Sequence, residues 1–182
     1  TISNTSIVAS GIDNQSIHGM LTRFLGDNPL DTLFTFQVNF LNLPLKWINV
    51  IIYSFYLLIL AILVYVAFSN KSSQTLSRYA EYGMVFTAML LLSPISRKAH
   101  FVALLFPNAV IIRYLLAKRG TNDFISYMYG ISVLLIVFTT EALIGKRLSH
   151  LIQAYSFITL GTIALFITNF VLSFKKEIIF NQ

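Results

Sequence analysis

The chain has 182 residues, with 13 Lys or Arg against 7 Asp or Glu and a formal charge of +6. Only 11% of it is charged and 56% is hydrophobic, too little polar surface for a soluble domain, which carries about 25% charged residues. The absence of Cys excludes disulfides, thiolate catalysis and Cys-type metal sites. The cations lie in pairs between apolar runs, which argues against nucleic-acid binding despite a pI near 9.7.

The chain opens on Thr1 with no basic, apolar and small-residue leader, which predicts a processed chain or a piece of a longer one. Residues 1–46 form the least membrane-like region. Within it Ile17, Met20, Leu21, Phe24 and Leu25 recur at helical spacing and predict an amphipathic helix over 13–25, lying on the membrane surface or on a helix bundle. Asp13 or Asn14 is expected to cap its start and Gly26 its end. Asn28-Pro29 suits a new helix start, and 30–45 reads as an irregular interfacial link.

Five apolar stretches follow, at about 47–68, 76–93, 99–116, 124–144 and 151–174, with a polar tail at 175–182. A bilayer core needs about 20 apolar residues per helix, so the expected class is an all-α polytopic membrane protein. Four spans plus a re-entrant pair is the alternative. Lys46 and Trp47 anchor one helix end, and Pro94 stops the second span. With five spans, six cations (Arg23, Lys46, Arg97, Lys98, Lys146, Arg147) fall on one side and seven on the other. That near tie leaves orientation open.

The segment Leu92-Ser93-Pro94-Ile95-Ser96-Arg97-Lys98-Ala99-His100 packs two cations and a His between two apolar helices. Arg97 can hold a phosphate through its planar fork, Lys98 as a point charge, and His100 can hydrogen-bond or exchange a proton. Ordinary interfacial anchoring is the competing reading. The segment Asp13-Asn14-Gln15-Ser16 offers a helix N-terminus and amides that suit a phosphate or a polyol, or else a plain cap. Glu141 reads as interfacial, His150 as part of a basic loop and His18 as a surface-helix residue. The acids do not cluster as metal ligands, and no metal or cofactor is expected.

Asn14-Gln15-Ser16-Ile17-His18-Gly19 with Arg23, followed by Ser93-Pro94-Ile95-Ser96 and His100, resembles two segments of the glycosyltransferase family 87 proteins. That family includes bacterial polyprenyl-phosphate-mannose-dependent α-mannosyltransferases. The likeness covers most of 11–118; the last two spans match in character alone. It implies a GT-C-like helical bundle of about five transmembrane helices in a bacterial plasma membrane. The implied reaction moves a hexose, with mannose expected, from a polyprenyl-phosphate donor to a lipid-linked sugar or glycan at the outer face. Arg97, Lys98 and His100 would then hold the donor phosphate, while Asn14, Gln15, Ser16 and Arg23 line the sugar side. The family's carboxylate base lies before the first motif, so this chain is expected to be a C-terminal half that partners an N-terminal half of the same protein. Arg97 departs from the aromatic many relatives carry after Ser-Pro-Ile-Ser. The competing function is a non-enzymatic transporter or lipid-binding subunit whose basic pairs meet lipid headgroups.

Overall fold

The structure is a computed structural model that describes residues 11–26, 38–69, 75–118 and 123–175. The expected helix start at Asn28-Pro29, most of the interfacial link and the tail beyond Lys175 lie outside these residues. Among the described residues the regular structure is entirely helical: α1 (Ile17–Leu25), α2 (Leu45–Ser69), α3 (Thr75–Leu92), a 3-10 helix (Lys98–Leu104) running into α4 (Leu105–Ala117), α5 (Phe124–Val137), α6 (Glu141–Ile144), α7 (Lys146–Ala154) and α8 (Phe157–Ser173).

Two helical segments are long and apolar enough to cross a membrane: Leu45–Ser69 with a mean hydropathy of 2.6, and Lys98–Ala117 with 1.6. A third qualifies if α7 and α8, bent by 58° at their junction, count as one span. α5 is apolar but has 14 residues, and α3 carries Arg78 and Glu81 within its 18.

The helices end near Pro or a charge in places: α3 ends at Leu92, two residues before Pro94, and α5 begins at Phe124, after Asp123. α1 begins at Ile17, not at residue 13, because the Ser16 side chain accepts from the Gly19 N–H and caps the helix. Gly26 ends it in an extended conformation, its N–H bonded to the Thr22 carbonyl. The helix expected over 124–144 stops at Val137. There Thr139 turns its hydroxyl onto the Ile136 carbonyl at 2.5 Å, a local bond that competes with helix continuation. The helix expected from 151 begins at Lys146 and breaks at Ser156, whose φ of 58° is left-handed, a region that costs a non-glycine residue energy.

α8 packs against both α3 and α5. Small residues set these approaches: a Cβ on Gly161 would lie 2.8 Å from Ile136 Cγ1 and 3.1 Å from the Ser132 carbonyl oxygen. On the other side, a Cβ on Gly83 would lie 2.5 Å from Asn169 Oδ1. Such close backbone approach lets the helices make dense van der Waals contact. Thr87, Thr162 and Thr168 bond their own helix carbonyls, which satisfies hydroxyls inside an apolar bundle. By contrast α2 buries only Ile48, Ile52, Ile59 and Val66 and turns Tyr53, Leu57 and Phe68 outward. α1 lies on the bundle, with Ile17, Met20 and Leu21 in the same apolar cluster as α2 residues Ile48 and Ile52.

Candidate functional site

The two motif segments, 80 residues apart in sequence, meet at one end of the bundle through Asn14. Its Nδ2 donates to the Pro94 carbonyl at 3.0 Å. Its Oδ1 accepts from the Ser96 N–H at 3.0 Å and the Ser16 N–H at 3.2 Å. An amide is required because one side of the contact needs a donor and the other an acceptor. The Gln15 N–H adds a 2.7 Å bond to the Ser96 carbonyl, and Ser16 Oγ donates to the Pro94 carbonyl at 3.2 Å. Gly19 completes the fit: a Cβ there would stand 2.5 Å from the Asn14 carbonyl oxygen, closer than real contacts allow. The Asn-Gln-Ser-x-x-Gly spacing is therefore a packing solution as well as a cap.

A third segment, the break between α7 and α8, closes the same knot. Gln15 Nε2 donates to the carbonyls of Ile12 at 2.7 Å and Gln153 at 2.9 Å, and Thr159 Oγ1 donates to the Gln15 carbonyl at 2.8 Å. Arg23 Nη1 donates to the carbonyls of Gly11 and Asn14, both at 2.7 Å. Its Nε reaches the Ala154 carbonyl at 3.3 Å and its Nη2 the Ser156 hydroxyl at 2.5 Å. Gln153 and Ala154 are the last residues of α7, where helix carbonyls lack partners and a cation is favourable. Burial pulls the Arg23 pKa down to about 10, with Asp13 opposing the shift, so the guanidinium remains charged at neutral pH.

Asn14, Gln15, Ser16 and Arg23 are thus at most 2% exposed. The sequence expectation that they line a sugar meets a different geometry. Their side chains turn into the protein because each bonds carbonyls, an N–H or a hydroxyl from the three joined segments. Gln15 Oε1 is buried with no hydrogen-bond partner among the described residues.

Arg97, Lys98 and His100 are exposed just beyond the knot. The Arg97 N–H donates to His100 Nδ1 at 3.2 Å, which places the proton of the neutral ring on Nε2, away from the backbone. Lys98 Nζ lies 3.4 Å from Glu141 Oε1 and the pair is about half exposed, at 44% and 48%. Water access keeps such a pair within about 1 kcal/mol. Glu141 also faces His150 Nε2 at 3.7 Å. Lys98, Thr139, Thr140 and Glu141 share a cavity of about 320 Å³ with Phe101, Ile136 and Ile158. The cavity thus combines a cation, its paired carboxylate and two hydroxyls with an apolar wall.

Sequence reasoning gave Glu141 and His150 little weight. Nothing local signals their role, since Glu141 reaches Lys98 only because α5 ends beside the 3-10 helix. Among the described residues no group of three His, Asp or Glu side chains is placed to hold a metal ion. No protein-family model, curated protein or solved structure matches the chain.

Proposed function

We propose that the chain is the C-terminal part of a membrane glycosyltransferase that takes a hexose, mannose in the first instance, from a polyprenyl phosphate. The acceptor is a lipid-linked sugar or glycan at the outer face of a bacterial plasma membrane, in a five-span GT-C-like bundle. One observation supports this reading above the others: the interlocked segments leave Arg97, Lys98 and His100 exposed, and Lys98 lines a cavity with an apolar wall. Such a wall suits the first isoprene units, and Lys98 suits the phosphate once that anion takes the place of Glu141 beside it. Transfer leaves a lipid phosphate, whose developing charge needs preorganised donors. Lys98 supplies the nearest cation, Arg97 a planar fork, and His100 an Nε2–H donor. Asn14, Gln15, Ser16 and Arg23 then serve the donor by fixing the loop that carries these groups, and the base comes from an N-terminal half of the same protein.

The test is incubation of the full-length protein in membranes with a labelled polyprenyl-phosphate mannose and a lipid extract. Labelled glycolipid is expected from wild type, and Lys98→Ala should reduce it about a hundredfold with unchanged membrane insertion. Wild-type rates in Arg97→Ala, Lys98→Ala and His100→Ala would refute the assignment. Movement of lipid with no labelled product would favour a lipid-handling subunit.

A further inference from the structure

Past Glu141 the chain turns a corner at the same end of the bundle. Gly145, with a φ of 78°, separates α6 from α7 in a conformation glycine adopts without steric cost. α7 buries Ser149, Gln153 and Ala154, and Ser149 Oγ ties it to the Thr139 carbonyl at 2.6 Å. The opposite side presents Lys146, Arg147 and Leu148 to the outside. Together with Ile144 and Leu151 these residues line a cleft of about 500 Å³. Leu148 in this lining is 46% exposed, and Leu143, next to Ile144 in sequence, is 65% exposed. Among the described residues, neither Lys146 nor Arg147 is within ion-pair distance of an acid.

Two cations with no acid at ion-pair distance among the described residues, beside exposed leucines at the end of an apolar helix bundle, suit an occupant with an anionic head and an apolar tail. A soluble anion would leave the leucines in water, and a neutral lipid would leave the charge unmet. We propose that this corner binds the phosphate of an anionic phospholipid from the surrounding leaflet, at a site separate from the Lys98 cavity. Arg147 offers a planar fork to two phosphate oxygens and Lys146 a point charge, while Leu143 and Leu148 meet the acyl chains. A basic amphipathic helix at the end of membrane spans is suited to such a role.

The experiment titrates the full-length protein in neutral detergent with fluorescent phosphatidylglycerol, followed by anisotropy, with phosphatidylcholine and inorganic phosphate as further arms. Phosphatidylglycerol should bind at least about tenfold tighter than phosphatidylcholine, and Lys146→Ala with Arg147→Ala should lose about thirtyfold in affinity. Arg113→Ala, exposed on α4 far along the chain from this corner, should bind as wild type does. Lys146→Gln with Arg147→Gln replaces the alanine pair if that protein misfolds. An equal loss in Arg113→Ala would reduce the effect to diffuse charge attraction and overturn the site. Equal affinity for the two lipids, or displacement by equimolar inorganic phosphate, would overturn it as well.

Discussion

Asn14→Ala removes the amide that joins the two motif segments, and its consequence is local enough to follow at two backbone N–H groups. Oδ1 accepts from the N–H groups of Ser16 and Ser96, both buried residues. Deleting the side chain orphans two donors, while the Pro94 carbonyl keeps the Ser16 hydroxyl at 3.2 Å. An unsatisfied buried group costs about 1–3 kcal/mol, so two cost about 2–6, and partial relaxation brings the effect to about 3 kcal/mol. Segment 93–98 should then open about a hundredfold more often, since 1.4 kcal/mol is a factor of ten. Hydrogen exchange read by mass spectrometry on peptides covering 93–98 measures this directly, because local opening sets the exchange rate. Asn14→Asp keeps the acceptor and loses the donor to Pro94, so it should exchange at an intermediate rate. Unchanged protection of 93–98 in Asn14→Ala would refute the reasoning that this amide holds the segment.

Gly19→Ala should destabilise the protein by about 1–3 kcal/mol, seen as a lower melting temperature in detergent, because its Cβ meets the rigid Asn14 carbonyl at 2.5 Å. Wild-type melting would show that α1 shifts freely on the bundle. Gly161→Leu should lower the melting temperature more than Gly130→Leu, since Gly161 sits against Ile136 and Ser132 while a Cβ on Gly130 meets nothing within 4 Å. Equal effects would argue against close α5–α8 packing. Burial lowers the His18 pKa from 6.5, and its buried Nδ1 has no hydrogen-bond partner among the described residues. The unfolded chain therefore takes up the proton first, so this stability is complete above about pH 6.5 and falls as pH drops below it. Melting curves of wild type and His18→Gln should coincide in pH dependence only if His18 is not buried in the fold.

The apolar stripe of α1, the start of α2 and the end of α3 were legible because Lys46, Trp47 and Pro94 act within a turn or two of where they stand. The breaks at Val137 and Ser156 were not. Neither carries a Gly or Pro, and Ser156 holds its left-handed conformation where its hydroxyl meets Arg23, 133 residues away in sequence. The roles of the candidate residues divided in the same way. Arg97, Lys98 and His100 flank a visible helix end and are exposed as cations there should be. Asn14, Gln15 and Arg23 look like ligand-binding residues in isolation. Their partners are backbone groups and the Ser156 hydroxyl, several of them from two other segments, which no spacing rule encodes. Glu141 was undervalued for the same reason: its partner Lys98 is brought near by the packing of the bundle.

The central claim is that the exposed cation beside the apolar-walled cavity receives a lipid phosphate. Its most direct measurement is the affinity of the full-length protein for a fluorescent polyprenyl phosphate, compared among wild type, Lys98→Ala and Lys98→Arg. Saturable binding that Lys98→Ala weakens about tenfold or more, and that Lys98→Arg largely restores, is the expected result. Equal affinity in all three proteins would contradict the claim.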